Sequence, residues 1–526
     1  MKKIIFLNLL NLLGGLVLNN LSYGDEVPVN YRLDYLQLRI PDQTSSTGLL
    51  GAHIDAQLFP ALPGFYAGVG SYGAIRGQNS GFFALGLEAG FQKNISPHWE
   101  TDGGIFLGTG GGHDLASQIG DGQFLATHFG LLYNWSSDWG SIWFGPEISH
   151  WQFFQGNIRD NQIALVFVFP TEFFYLAPDE SLESNLSQDL FSQNSETYSR
   201  SSLFSKNYFS FESSLEFPSR DSKNLSGDPM DNRLDFVGAE FGHFFTQAAY
   251  LFLNMKGAIA GNQNGFAEAL GGLGYEKKIG GANSDWSALG QLGAGSAGGG
   301  GVNTRGGFIV SPSAGIEWDP INSMGLSLKA GYLWSPNLDS TGNSNNSYQA
   351  WTVNLGIKYY FDVMSENPSE ISSDDLENIK TQNWRIRLGD QCYVSPDSNN
   401  SDENHPMHLL ALKLDGFVNS YFYVTGQTSF AYTDNAAGYF SGMAGLGAQT
   451  QAYHDFSVYG ELLGGAAGGA GLDIGTGLLI EPLIGIRYDL TNAWGLYGSV
   501  GKTLSPHHSF DSPTFDFGVS YGFLTV

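Results

Sequence analysis

The sequence predicts an all-β protein: three tandem units of about eight antiparallel, up-and-down strands, each closing as a transmembrane β-barrel, with one large barrel of about 24 strands as the alternative. Three observations lead there. One programme of aromatic and glycine-rich segments recurs over Phe65–Phe169, Tyr250–Phe361 and Tyr421–Phe523. Its segments alternate apolar and polar residues over the length of a tilted membrane strand. The composition is that of a membrane barrel: charged residues are 14%, aromatics 14%, and Gly fills 71 of 526 positions, where a soluble domain carries about 25% charged residues.

The chain opens on an export signal. Lys2 and Lys3 form a basic start, Ile4–Leu18 an apolar stretch too short for a span, and Ser22-Tyr23-Gly24 a small-x-small cleavage site, giving a signal peptide over 1–24. No later segment is apolar for long enough to predict a spanning helix. The single Cys392 cannot form an internal disulfide. A net charge of −27 excludes a nucleic-acid partner, which needs clustered Lys and Arg.

Three landmarks align the copies, and such repeats govern the choice of fold. The first is a glycine cluster at Gly108–Asp114, Gly295–Asn303 and Gly465–Asp473. The second is a strand ending in Gly130–Tyr133, Gly315–Trp318 or Gly485–Tyr488. The third is a tight connection at Ser137–Gly140, Asn322–Gly325 and Asn492–Gly495.

Within each copy the strands show two faces. Tyr421–Tyr432 sets Phe422, Val424, Gly426, Thr428, Phe430 and Tyr432 against Tyr421, Tyr423, Thr425, Gln427, Ser429 and Ala431. Leu478–Asp489 and Trp351–Phe361 divide in the same way. From the landmarks onward each copy has seven strands. An eighth lies upstream, where Asn30–Asp42, Asn207–Ser219 and Asn383–Asp397 align on their first Asn. Eight is an even number, as single-chain outer-membrane barrels require.

Connections alternate in length. In the third copy the odd-numbered ones (Ser398–Pro406, Thr433–Ala437, Gly464–Gly477, Ser505–Pro513) are longer on average than the even-numbered ones (Val418–Ser420, Gln449–Asp455, Asp489–Ala493). Long external loops and short periplasmic turns give that pattern. Polar stretches without periodicity separate the copies. The resulting organisation is a signal peptide 1–24, barrel 25–176, disordered linker 177–206, barrel 207–363, disordered linker 364–382 and barrel 383–526.

A soluble barrel would turn its apolar face inward and a charged face to water. Here the faces opposite the apolar ones carry Gly, Ser, Thr and Tyr with few charges, which suits a narrow, filled lumen. The alternating strands and their aromatic ends resemble the small eight-stranded bacterial outer-membrane β-barrel proteins. Phe515, Phe517, Val519, Tyr521 and Phe523 resemble that class's terminal assembly strand, although Leu524, Thr525 and Val526 follow. The resemblance implies an outer-membrane location, contact with outer-membrane lipid and insertion by barrel-assembly machinery. It transfers no functional residues. Separate closure of each copy is expected, because long spacers divide the copies and eight strands already close around a filled lumen.

The glycine cluster is the sharpest candidate site. Gly112, Asp114, Gly301, Asn303, Gly471 and Asp473 are candidate external-loop contacts for a ligand, the glycines admitting close approach and the Asx residues accepting hydroxyls. The competing explanation is a tight loop in which the Asx side chains make the turn. No phosphate-loop Lys follows. His113, His128 and His150, and His507 and His508 beside Ser505 and Ser509, do not recur between copies, so no catalytic residue, metal or cofactor is assigned. Glu481 and Arg487 share an inner face and are read as a lumen ion pair. Trp99, Trp139, Trp494, Tyr133, Trp318 and Tyr488 form an interfacial girdle. The expected function is non-enzymatic, structural or surface-interacting, with a surface glycan or envelope protein as partner. An outer-membrane pore or export channel is the alternative, followed by a lipid- or glycan-modifying enzyme.

Overall fold

The computed structural model describes residues 26–41, 46–57, 62–77, 81–112, 116–137, 140–176, 206–230, 232–281, 284–321, 324–336, 338, 347–361, 382–396, 406–433, 438–469, 472, 474–506 and 510–525. The signal-peptide assignment lies outside these residues, as do both linkers apart from Lys206 and Gln382.

The described chain forms three closed eight-stranded barrels. The first comprises β1 (Glu26–Leu38), β2 (Thr47–Ala56), β3 (Phe65–Arg76), β4 (Phe83–Ser96), β5 (Trp99–Gly111), β6 (Gln123–Ser137), β7 (Gly140–Phe153) and β8 (Arg159–Leu176), with a four-residue helix, α1 (Ala116–Ile119), after β5. The second comprises β9 (Lys206–Pro218), β10 (Leu234–Phe244), β11 (Ala249–Ala260), β12 (Ala267–Lys278), β13 (Trp286–Gly298), β14 (Phe308–Ile321), β15 (Met324–Trp334) and β16 (Gln349–Phe361). The third comprises β17 (Gln382–Tyr393), β18 (Met407–Phe417), β19 (Phe422–Ala431), β20 (Phe440–Gln449), β21 (Phe456–Gly468), β22 (Leu478–Asp489), β23 (Trp494–Leu504) and β24 (Asp511–Thr525).

Neighbours in sequence pair antiparallel, and each first strand closes on its last. Tyr31 lies opposite Phe169, Tyr208 opposite Tyr360, and Trp384 opposite Phe523. Three closures therefore form in place of a single ring of about 24 strands. Closure bonds every ladder internally and leaves no sheet edge, the condition for β-structure in lipid. A short ladder, Leu524 with Leu176 and Thr525 with Tyr175, joins the third barrel to the first.

The two faces separate by chemistry in the inverse of a soluble barrel. Along β19, Tyr423, Thr425, Gln427, Ser429 and Ala431 are buried, while the alternate positions from Phe422 to Phe430 face out. Ile163 is 75% exposed, Leu446 69% and Leu355 55%, whereas Arg32, Lys358, Glu317 and Asp415 are 2% exposed or less. Apolar residues outside and charged residues inside make this a transmembrane barrel protein, in contact with lipid along its outer face. Aromatics gather near the short turns: Trp99 packs on Tyr133 at 5.2 Å and Phe456 on Tyr488 at 4.7 Å. Trp139, placed in the same girdle by sequence, lies outside the described residues.

One packing device recurs at the same register in all three barrels. Tyr66 on β3 faces Gly90 on β4, Tyr250 on β11 faces Gly274 on β12, and Tyr423 on β19 faces Gly447 on β20. Each tyrosine ring lies over its partner's Cα, where a Cβ would collide with it. The ring covers the hole that glycine leaves in the strand, so the narrow lumen holds an aromatic without widening.

The upstream strands are the eighth members, β1, β9 and β17, but in a different register from the one their asparagines suggest. Following the pairing around each barrel makes Arg32, Ser210 and Arg387 equivalent; they lie opposite His53, Glu240 and Lys413 on the second strands. Alignment on Asn30, Asn207 and Asn383 is thus one residue out in the second barrel and two in the third. A one-residue slip exchanges the faces of a strand, so the lumen, which must receive these charges, fixes the register.

Candidate functional site: the charged lumens

Because inward positions alternate along every strand, each barrel projects side chains from several strands into one enclosed column. In the first barrel Arg32 on β1 reaches Asp102 on β5, the strand diametrically opposite, with Nη1 2.8 Å from Oδ2. Its other terminal nitrogen bonds Glu147 on β7. Beside it His53 lies 3.0 Å from Asp34 and 2.5 Å from Glu88. The Tyr66 hydroxyl donates to Asp102 at 2.9 Å and sits 3.1 Å from His128.

In the second barrel three lysines, Lys256 of β11, Lys329 of β15 and Lys358 of β16, meet residues of β9. Lys358 lies 4.4 Å from the Tyr208 ring and 2.5 Å from Glu317. Lys329 bridges Glu212 at 2.5 Å and Glu240 at 3.0 Å. Lys256 bridges Glu216 at 2.6 Å and Glu268 at 3.0 Å. Glu212 and Glu216 are two side-chain repeats apart on the same face of β9, so the Lys329 and Lys256 bridges are separated by about 13 Å at about 3.3 Å per residue. Neutral donors complete the carboxylates: Asn254 donates to Glu212 at 2.7 Å, Gln291 to Glu240 at 2.9 Å and Tyr348 to Glu216 at 2.6 Å.

The third barrel repeats the transverse arginine of the first. Arg387 on β17 bonds Glu461 on β21, again the opposite strand, and Asp415 on β18 at 2.7 Å. Lys413 pairs with Asp516 at 2.8 Å. Glu481 accepts from Gln391 at 3.0 Å and from Thr503 at 2.5 Å. The ion pair expected between Glu481 and Arg487 does not form. Arg487 lies 2.6 Å from Asp489 instead. Six positions on one strand span about 20 Å, well beyond side-chain reach.

These clusters were not visible as constellations in the sequence, since each bridge joins different strands; Arg32 and Glu147 are 115 residues apart. The signal available was a charged residue on an inward position of a membrane strand. Two groups also have a ligand geometry a cation can use: Asp102, His128 and Glu147, and Glu276, Glu317 and Asp319. In the first, Arg32 already occupies the space between the carboxylates.

The predicted loop residues are placed as follows. Gly112 follows β5 beside Gly438 of the third barrel. Gly301 has φ of 73° and its carbonyl accepts from Leu225 at 2.8 Å. Asn303 Oδ1 accepts from the Arg305 amide at 3.3 Å and its carbonyl from Tyr348 at 3.1 Å, making a turn. Asp114, Gly471 and Asp473 lie outside the described residues. So do His113, His507, His508 and Ser509, while His150 contacts Asn161 at 2.8 Å and the Ser505 hydroxyl donates to the Ile474 carbonyl at 3.0 Å.

The fold and its polar, ion-paired lumens define the class: a multi-barrel outer-membrane β-barrel protein. No known protein family matches the chain, and no curated protein does. Among solved structures it is similar to the siderophore receptor PirA from Pseudomonas aeruginosa at 8% identity, covering 95% of this chain and 81% of that one with a TM-score of 0.29. It is also similar to the FrpB iron transporter from Neisseria meningitidis at 10% identity, covering 96% and 83% with a TM-score of 0.31. At those values the likeness hands over no ligand and no residue.

The structural or surface-interacting role expected from sequence is corrected here. The similar structures are named as receptors and a transporter.

Proposed function

We propose that this protein is a transporter of small cations across the outer membrane, each barrel being a narrow polar passage closed by a bridge of paired charges. The carrying observation is the transverse bridge itself: Arg32 to Asp102 and Arg387 to Glu461 each join diametrically opposite strands. An ionisable group inside a membrane span is costly and is by default a candidate functional site, ion pathways being one of its uses. Apolar residues of similar volume would often stabilise a barrel as well or better than buried pairs. Eight strands leave room only for side chains, so a passage must be shut by side chains and opened by their movement.

The sign of the lumen favours cations. In the second barrel Lys256, Lys329 and Lys358 face Glu212, Glu216, Glu240, Glu268, Glu276 and Glu317. Strand number and filled lumen also support the finer likeness to small eight-stranded barrels, three times in one chain. Insertion by barrel-assembly machinery through β24 belongs to the same reading.

Reconstitution in a planar bilayer under a potassium chloride gradient tests it. The expected result is a small conductance whose reversal potential lies on the potassium side. A folded protein that conducts no better than bare lipid, or that passes chloride preferentially, overturns it.

A further inference from the structure

The glycine cluster has a use that the lumen does not explain. The Ser296 hydroxyl, on β13 of the second barrel, donates at 2.6 Å to the carbonyl of Ala74 on β3 of the first. The Thr109 hydroxyl, on β5 of the first barrel, donates at 2.5 Å to the carbonyl of Ala431 on β19 of the third. Pairing with the fourth strand shows that these positions correspond. Gly111, Gly298 and Gly468 lie opposite Phe83, Ala267 and Phe440, which makes Thr109, Ser296 and Ala466 equivalent. Ala74, Ala258 and Ala431 are equivalent too, each amide bonding the carbonyl of Phe82, Phe266 or Tyr439.

The third junction follows the same plan without a hydroxyl. A Cβ on Gly257 would lie 2.7 Å from that of Ala466, and one on Gly73 stands 2.7 Å from that of Ser296. In each hairpin a glycine with positive φ abuts the next barrel: Gly81 (91°), Gly265 (78°) and Gly438 (89°). A Cβ there would lie 2.6 Å from the Gly299 amide nitrogen, 3.2 Å from that of Gly469 and 3.2 Å from that of Gly112. Backbone meets backbone at all three junctions, which only glycine permits.

We infer that the repeated glycine cluster is a barrel-docking face, and that its partner is the third-strand hairpin of another barrel of the same kind. The contact is head to tail: the first barrel's hairpin enters the second's glycine face, the second's enters the third's, and the third's returns to the first. A heterologous contact whose rotation closes makes a ring. The chain is therefore a fused trimer, held by these faces and, between the third barrel and the first, also by the short β24–β8 ladder.

The test uses the full chain with a protease site placed in each of segments 177–205 and 362–381. After folding and cleavage, the three fragments should run as one particle in size-exclusion chromatography. Gly81→Trp, Gly265→Trp and Gly438→Trp together should release separate fragments that still show heat-modifiable barrel mobility. As a measurement independent of how those variants fold, Gly257→Cys with Ala466→Cys in a Cys392→Ser chain should cross-link the second and third fragments on oxidation. Fragments that part after cleavage with the faces intact, or cysteines that fail to cross-link in folded protein, would overturn the inference.

Discussion

Arg32 and Asp102 meet 2.8 Å apart across the full width of the first barrel, from strands that stand opposite each other in the ring. Sequence separation hides the pair and closure creates it. Both side chains are at most 2% exposed. Each has given up water, and each depends on the other to offset that loss.

Arg32→Ala should therefore destabilise the first barrel by about 3–5 kcal/mol, because it strands Asp102 and Glu147 as buried, uncompensated carboxylates. Arg32→Met combined with Asp102→Asn and Glu147→Gln should recover most of that loss. Urea unfolding in detergent, followed by tryptophan fluorescence, measures both. Equal stability for the single and the triple variant would show that the bridge is not what burial made costly.

The outer face predicts the opposite sensitivity. Leu355 on β16 is 55% exposed and faces lipid. Leu355→Arg should cost about 2–4 kcal/mol if it lies near the bilayer midplane. Folding into lipid vesicles across a denaturant series reads the difference, and a cost near zero would mean that this face is solvated.

The tyrosine–glycine pairs predict a recurring packing penalty. Gly90→Ala, Gly274→Ala and Gly447→Ala each push a methyl into a tyrosine ring and should each destabilise by about 1–3 kcal/mol. Removing the ring as well, as in Gly274→Ala with Tyr250→Ala, should be less than additive, since the two changes share one contact. Strict additivity in thermal unfolding would contradict the assignment.

Charge removal inside the second lumen should move the ion preference of protein that has folded and inserted. Glu216→Gln with Glu268→Gln leaves Lys256 without its two anionic partners. The potassium-to-chloride permeability ratio should fall severalfold, read as a shift in reversal potential. An unchanged ratio would remove this barrel from the conducting path.

Much of this architecture was legible because a membrane barrel writes its faces into alternate residues. Phe422 to Ala431 separate into lipid and lumen sides without reference to any other strand. Relationships across a barrel were not legible. Glu481 and Arg487 look like partners on one strand, yet the strand rise keeps them apart and each bonds elsewhere. The first strands align by eye on their asparagines, whereas the closing ladders set a register that brings Arg32 and Arg387 to equivalent positions. The glycine cluster showed its recurrence but not its neighbour, because the groups it meets belong to another copy of the repeat.

Single-channel recording of bridge-truncation variants tests the central claim most directly. Arg32→Ala, Lys329→Ala and Arg387→Ala each remove the principal bridge of one barrel. The account predicts that each raises the conductance of the reconstituted protein, and that the three increments add when combined, because the passages are separate. Triple-variant protein, folded and inserted, that conducts no more than the unaltered chain would contradict it.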